Sequence, residues 1–143
     1  MNRIAQLMKP STPDPELFLT RGWVRRHSGV HAFRCALRGL RDAWETQPNL
    51  RFHVYAGAGV IVLGLWTHLR LLEWLWVSFA IGLVLFAELM NTAIEQTVDL
   101  VLGRRPDPLA RQVKDIAAGC VLVAAAIAVV IGALTFAPHL LKG

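Results

Sequence analysis

Four stretches of the chain differ in how their apolar residues are spaced. In residues 30–44, apolar side chains recur every three or four positions with arginines between them, which is typical of a helix with one apolar face. Three predominantly apolar stretches follow, at roughly residues 52–67, 71–102 and 116–137. Because a membrane-spanning helix needs roughly 20 apolar residues, these stretches predict transmembrane helices. We therefore predict an all-α integral membrane protein with three transmembrane helices and an N-terminal amphipathic helix on the membrane surface.

Prolines and glycines mark the connections between these helices. Pro48 is expected to end the surface helix, so that residues 49–51 lead into the first span. Gly103, Pro106 and Pro108 predict a loop between the second and third spans. Both connections are therefore expected to interrupt the helical pattern.

The beginning of the chain differs from everything that follows it. Residues 1–28 contain no continuous apolar region and no small-residue cleavage site, so they do not resemble a secretory signal. Their prolines favour a flexible N-terminal leader. Residues 29–143 are then expected to form one membrane domain.

Basic residues are concentrated before the first span and between the second and third spans, whereas the link between the first two spans contains only Arg70. Short loops rich in Lys and Arg stay on the cytosolic side, so the N-terminus and the second loop are expected there. The surface helix would lay its basic side on anionic lipid headgroups. The chain is therefore expected to be a multi-pass membrane protein with its N-terminus on the cytosolic side.

The second span carries polar side chains along one edge. Glu88, Asn91, Glu95 and Asp99 fall within an arc of roughly 80° on a helix that turns about 100° per residue. An acidic residue near the middle of a membrane costs on the order of 2.5 to 3.5 kcal/mol, so such an edge usually faces a bundle interior, a cavity or a partner. The alternative role is structural, with Asn91 bonding across helices and the lower carboxylates in water.

The side chains on this edge indicate phosphate chemistry. Oxygen ligands without thiolates or paired histidines suit Mg²⁺, which near a membrane surface is typically completed by substrate phosphates. Lys114 and Asp115 enter the third span from the same side, where Lys114 could neutralise a phosphate. Glu88, the deepest carboxylate, is suited to accept a proton from an alcohol. A cytosolic phosphate donor and a membrane-embedded alcohol could therefore meet along this helix.

Other classes of site find little support. The chain has no P-loop and no dinucleotide fingerprint, which excludes an ordinary nucleotide-binding fold, and no nucleic-acid partner is expected. Cys35 and Cys120 have no partner at ligand spacing, so neither a zinc site nor a disulfide framework is indicated. An ion or proton carrier would also use intramembrane carboxylates, but the first and third spans offer no buried charge to continue a pathway.

Three sequence segments resemble one family. "AELMNTAIEQTVDLV", "DPLARQVKDIAAGCVLVAA" and "FRCALRGLRDAW" with "NLRFH" are similar to the small prokaryotic lipid kinases that include diacylglycerol kinase and undecaprenol kinase. The resemblance covers about residues 29–137. It implies a homotrimeric enzyme of the bacterial cytoplasmic (inner) membrane, with active sites shared between subunits. Such an enzyme moves the γ-phosphate of MgATP to the hydroxyl of diacylglycerol or undecaprenol.

The resemblance also implies roles for individual residues. Glu88 matches the family's general base, and Glu95 matches a ligand of the metal that bridges the phosphates. A further set matches polar residues that support nucleotide and metal binding: Asn91, Asp99, Lys114 and Asp115.

The chain departs from the family pattern just after the surface helix. Where the family has a metal-binding glutamate, this chain has Gln47, and Glu45 lies two residues earlier. Gln47 offers an oxygen without a charge, so it could weaken the metal site, or Glu45 could replace it. His53 lies near the cytosolic mouth and could touch substrate, although a packing role is the simpler interpretation. The alternative function is a catalytically weakened relative that binds a lipid or a partner.

Overall fold

The computed structural model describes residues 29–103 and 106–141. This part of the chain is all-helical, as predicted, and residues 1–28 of the predicted leader lie outside it. Its four helices are α1 (Gly29–Thr46), α2 (Pro48–Trp66), α3 (Leu71–Leu102) and α4 (Pro108–Leu140). The chain divides into two compact units, Met1–Leu37 and Arg38–Gly143, and the sites described below all lie in the second.

Two prolines begin helices that were expected to start later. Pro48 is the first residue of α2, so residues 49–51 are helical rather than a link. Pro108 is likewise the first residue of α4, which therefore begins well before the predicted third span. The first residue of a helix has no intrahelical partner for its N–H, so proline loses nothing there and its fixed φ suits the helix. Asp107 caps α4 by accepting hydrogen bonds from the backbone N–H groups of Leu109 and Ala110, at 2.8 and 3.0 Å.

The bounds of α3 agree with the sequence prediction, and both of its ends are capped. At its start, the Glu73 carboxylate accepts a hydrogen bond of 2.7 Å from the backbone N–H of Arg70. At its end, Gly103 adopts a left-handed conformation with φ 61°, which glycine reaches without steric cost, and its N–H bonds to the Asp99 carbonyl. The polar edge of α3 therefore lies on one uninterrupted helix.

The packing inside the second unit joins α3 to both of its neighbours. α3 packs extensively along α4 and less extensively against α2. Small residues let these helices approach closely: Ala117 and Ala124 are buried on α4, and Gly64 is buried on α2. A Cβ atom at Gly64 would lie 2.9 Å from the Trp74 ring. A small apolar cluster of Leu69, Val77 and Phe136 closes the end of the bundle nearest the α2–α3 turn.

Two of the described helices, α3 and α4, are long and apolar enough to cross a membrane. Only 11% of the most apolar stretch of α4 is buried inside the chain, whereas the core helix of a water-soluble protein would be mostly covered. α2 is shorter, with 19 residues, and it is less apolar because its first turns carry Arg51, His53 and Tyr55. The fold is thus all-α with two candidate spans, and three transmembrane helices are not confirmed by length and composition.

Candidate active site

The four polar side chains on α3 all lie on the side that the rest of the chain covers. Glu88 and Asn91 are 3% and 8% exposed, and Glu95 and Asp99 are partly buried. Met90, Ala93, Gln96 and other neighbours between them are exposed. The polar edge therefore faces the helix bundle rather than the surroundings, and it becomes more open from Glu88 toward Asp99.

The lower part of this edge opens into a polar cavity of about 520 Å³ between α3 and α4. Glu95 and Asp99 line it from α3, and Lys114 and Asp115 line it from α4. Lys114 Nζ donates a hydrogen bond of 2.5 Å to Asp99 Oδ1. Four of the predicted site residues are thus brought together across two helices. Both members of the ion pair are partly exposed, so incoming solutes can reach them.

Arg111 was not among the predicted site residues, although it also lines this cavity. It lies on α4 one turn before Lys114, and its guanidinium is 3.8 Å from the Asp115 carboxylate in an exposed ion pair. The signal in the sequence was its i, i+3 spacing to Lys114, which places both cations on one side of a helix. The cavity therefore offers two cations beside its carboxylates.

Glu88 and Asn91 form the upper, buried part of the polar edge. Within residues 29–103 and 106–141, the buried Glu88 carboxylate receives no hydrogen bond. The Asn91 Oδ1 atom is buried, and no donor among the described residues bonds to it. A buried acceptor without a donor is costly, so such an atom indicates a partner beyond the described residues.

A second, almost entirely apolar groove of about 540 Å³ runs between α2, α3 and α4. His53 and Val84 line the end that lies near Glu88, and Val84 precedes Glu88 by one helical turn. Val77 and Phe136 line the far end. The groove thus extends from about one helical turn before Glu88, which does not itself line it, into the apolar core. It has the lining expected for a hydrocarbon chain.

The structure does not bring Gln47 and Glu45 to this site within one chain. Gln47 immediately precedes α2, and its side chain makes no capping hydrogen bond. Glu45 is exposed on α1 and accepts a hydrogen bond of 2.7 Å from Arg41. Neither residue lines the polar cavity.

A metal held entirely by protein side chains finds no support in the described ranges, which contain no group of three or more His, Cys, Asp or Glu side chains arranged as ligands. Mg²⁺ rarely needs such a group, since one or two carboxylates and substrate phosphates usually complete its coordination. The partly exposed Glu95 carboxylate and the unpaired Asn91 Oδ1 are oxygen donors of the kind that Mg²⁺ takes. The residues present therefore fit a magnesium ion that arrives with a nucleotide.

Comparison with known proteins assigns the family. The family model for prokaryotic diacylglycerol kinases matches residues 34–136, which include every candidate site residue named above. The chain belongs to the prokaryotic diacylglycerol kinase family. The polar cavity, Glu88 and the apolar groove are thus the candidate active site of a member of this family.

Three relatives show how the similarity is distributed. The chain is 41% identical over 109 residues to the undecaprenol kinase of Bacillus subtilis, covering 76% of this chain and 88% of that protein. It is 40% identical over 111 residues to a diacylglycerol kinase of Synechocystis, covering 78% of this chain and 63% of that protein. It is 29% identical over 93 residues to the diacylglycerol kinase of Escherichia coli, covering 65% of this chain and 75% of that protein.

Proposed function

We propose that this chain is an ATP-dependent membrane lipid kinase, which transfers the γ-phosphate of MgATP to the hydroxyl of a membrane lipid alcohol. The observation that carries the proposal is the polar cavity between α3 and α4, where Lys114 pairs with Asp99. Glu95 lines the same cavity and lies about two helical turns along α3 from the buried Glu88. Cations that could bind phosphate, on α4, thus lie across from the α3 edge that carries the buried Glu88. Family membership supports the same activity.

The polar cavity would hold the triphosphate. Lys114 is positioned to exchange its contact with Asp99 for a phosphate oxygen, and Arg111 adds a second positive charge. Glu95 and Asn91 would hold the magnesium ion through oxygen atoms. The ion, when bound, neutralises charge on the phosphates.

The buried part of the site would hold the lipid. Its hydrocarbon tail would lie in the apolar groove, with its hydroxyl at the groove end lined by His53 and Val84. The hydroxyl oxygen would bond to the γ-phosphorus while the bond from that phosphorus to the ADP oxygen breaks. Glu88 would take the proton of the hydroxyl, as a general base within hydrogen-bond reach. Catalysis would come chiefly from positioning and from charge neutralisation.

Two lipid alcohols are candidate acceptors. The undecaprenol kinase of Bacillus subtilis is matched over 88% of its length, compared with 63% for the diacylglycerol kinase of Synechocystis. This difference makes undecaprenol the acceptor to test first, with diacylglycerol as its competitor. The apolar groove is compatible with either tail, because it presents hydrocarbon without a motif for a particular chain.

The proposed enzyme spans the inner membrane three times, with α2 as a short span beside α3 and α4. Its polar cavity faces the cytosol, where ATP is found. The exposed apolar side chains of α1, such as Phe33 and Leu40, would lie in the membrane surface. Three chains would assemble so that a neighbour supplies Gln47 or Glu45 to each cavity, which explains why neither residue reaches it within one chain. Residues 29–143 would form this membrane domain.

The experiment that tests the proposal offers both lipid alcohols to the purified chain. The protein in mixed micelles is given radiolabelled ATP, Mg²⁺ and either undecaprenol or diacylglycerol, and lipid products are separated by chromatography. We expect label to appear in one lipid phosphate or both, only when Mg²⁺ is present. Absence of labelled lipid with either alcohol, from protein that is folded by circular dichroism, would contradict the proposal.

A further inference from the structure

The pair formed by α3 and α4 is held by a polar contact at each end. At the Lys114 end, Lys114 contacts Asp99, and at the His139 end, His139 Nε2 lies 3.1 Å from Glu73 Oε1. At a rise of about 1.5 Å per residue, the two contacts lie about 39 Å apart along α3 and about 38 Å apart along α4. The two spacings match, so both contacts can form only when the antiparallel helices lie in one register.

Glu73 is fixed in place independently of His139. Its Oε1 accepts a hydrogen bond of 3.0 Å from Arg70 Nη2, and its Oε2 accepts one from the Arg70 backbone. An ionised carboxylate only accepts hydrogen bonds, so His139 Nε2 must be the donor in their contact. Glu73 and His139 are both largely shielded from solvent, with side chains 16% and 25% exposed. Glu73 is thus a fixed acceptor to which the end of α4 is attached.

The packing between the two ends offers less to fix the register. Of the four buried residues of α4, Ala117 and Ala124 lie along the middle of the pair and are small, whereas Thr135 and Phe136 lie within about one turn of His139. Small side chains form shallow ridges and grooves, and they oppose sliding of one helix along another less than large side chains do. The polar contacts at the two ends therefore help to fix the position of α4 along α3.

We propose that His139 and Glu73 are positioning residues that set the register of α4 on α3 and thereby place Lys114 beside the α3 carboxylates. This inference rests on the proposed kinase function, in which Lys114 binds phosphate. His139 lies beyond residues 34–136, so the contact is not part of the matched family pattern. It acts from the end of the helix pair farthest from the polar cavity.

A change in register affects ATP binding more than proton transfer to Glu88. Loss of the His139 contact lets α4 shift along α3, and shifts of one packed helix by about 1–2 Å are typical of such changes. A displacement of that size moves the Lys114 ammonium away from the nucleotide phosphates. Binding of ATP then weakens, whereas the step that depends on Glu88 within α3 is affected less.

The kinetic test compares three substitutions in the full chain. His139→Leu removes the donor, His139→Gln keeps an N–H at a similar position, and Leu140→Ala changes the exposed neighbouring residue as a control. We expect His139→Leu to raise the KM for ATP by about threefold to tenfold, with kcat changed by less than about twofold. His139→Gln should restore the KM, and Leu140→Ala should leave it near the wild-type value. In a Lys114→Met background, His139→Leu should raise the KM no further.

The register is also measured without any activity. Spin labels at the exposed residues Leu100 and Gln112 are introduced in a chain whose two cysteines are replaced, and labelled chains are diluted with unlabelled ones. We expect His139→Leu to shift or broaden the distance distribution by about 1–2 Å, and His139→Gln to preserve it.

Two outcomes overturn the inference. An unchanged distance distribution in His139→Leu would mean that the contact does not set the register. A changed distance with an unchanged KM for ATP would mean that the register does not position Lys114. An inactive wild type would instead contradict the proposed function, while the distance measurement would still report the register.

Discussion

The two ends of the α3–α4 pair differ in how firmly their polar groups are held. At the Lys114 end, Asp99 has a single described partner across the helices, in a cavity of about 520 Å³ that solutes can enter. At the His139 end, Glu73 is held by three hydrogen bonds beside the apolar cluster of Leu69, Val77 and Phe136. A single ion pair in an open cavity can be exchanged for a ligand, whereas a carboxylate with several partners maintains structure. Charged residues near helix ends can therefore bind a ligand where the surroundings are open, or hold two helices together where the surroundings are packed.

The largest expected effect is at Glu88, which belongs to the buried part of the site. Glu88→Gln keeps the shape of the side chain but removes its capacity to accept a proton. We expect a loss of more than about a hundredfold in kcat, because a general base contributes typically 10²–10⁴-fold. Binding of ATP and the melting temperature should stay near the wild-type values. Unchanged turnover in this variant would remove the role assigned to Glu88.

The next largest effect, on the KM for ATP, is expected at Lys114, which forms the exchangeable ion pair at its end of the helices. Lys114→Met should raise the KM for ATP by about tenfold to a hundredfold, since a hydrogen bond to a charged group contributes about 1.5–3 kcal/mol. Arg111→Gln is the matched control, and its effect should be smaller because that side chain is 85% exposed. An equal loss in both variants would indicate a general effect of positive charge rather than a contact at Lys114.

A smaller effect, on stability rather than turnover, is expected near the His139 end. Gly64→Ala places a methyl group 2.9 Å from the Trp74 ring and should lower the free energy of unfolding by about 1–3 kcal/mol. Gly59→Ala is the control on the same helix, because no atom lies within 4 Å of the added Cβ. Both variants are compared by thermal unfolding in detergent. Equal melting temperatures would contradict the close packing of α2 on α3.

The smallest expected effect concerns the residue that departs from the family pattern. Gln47→Glu adds a carboxylate where the resemblance places a metal ligand, so it should lower the Mg²⁺ concentration for half-maximal activity by about threefold to tenfold. Glu45→Gln is compared as the alternative ligand. An inactive wild type together with an active Gln47→Glu variant would support a catalytically weakened relative instead.

Much of the fold and of the candidate site could be predicted from the sequence. The bounds of α3 followed from its apolar pattern and from Gly103, and the helical spacing of Glu95 and Asp99 placed them on one side. Lys114 and Asp115 could be expected nearby because the next helix starts from the same end. The end of α1 before Pro48 was predicted, but the start of a new helix at Pro48 and at Pro108 was not, because a proline at the first turn of a helix looks the same in a sequence as a proline that ends one.

Contacts between distant residues could not be predicted from local patterns. Glu73 and His139 are far apart in the chain, and a lone histidine near a helix end carries no signal of its partner. The apolar groove depends on how three helices pack together, which their separate periodicities do not specify. The unpaired Asn91 Oδ1 likewise became evident only once its burial was known.

The exchange of Lys114 from Asp99 to the phosphates of ATP is the central claim, and chemical labelling of lysine tests it most directly. The chain has Lys114 and two further lysines, Lys9 and Lys142, which serve as internal controls. The protein is treated with an amine acylating reagent with and without saturating MgATP, and modification of each lysine is quantified by mass spectrometry. We predict that MgATP lowers the rate of Lys114 modification by about tenfold or more and leaves Lys9 and Lys142 unchanged. An unchanged rate at Lys114, in protein that is saturated with MgATP, would contradict the account.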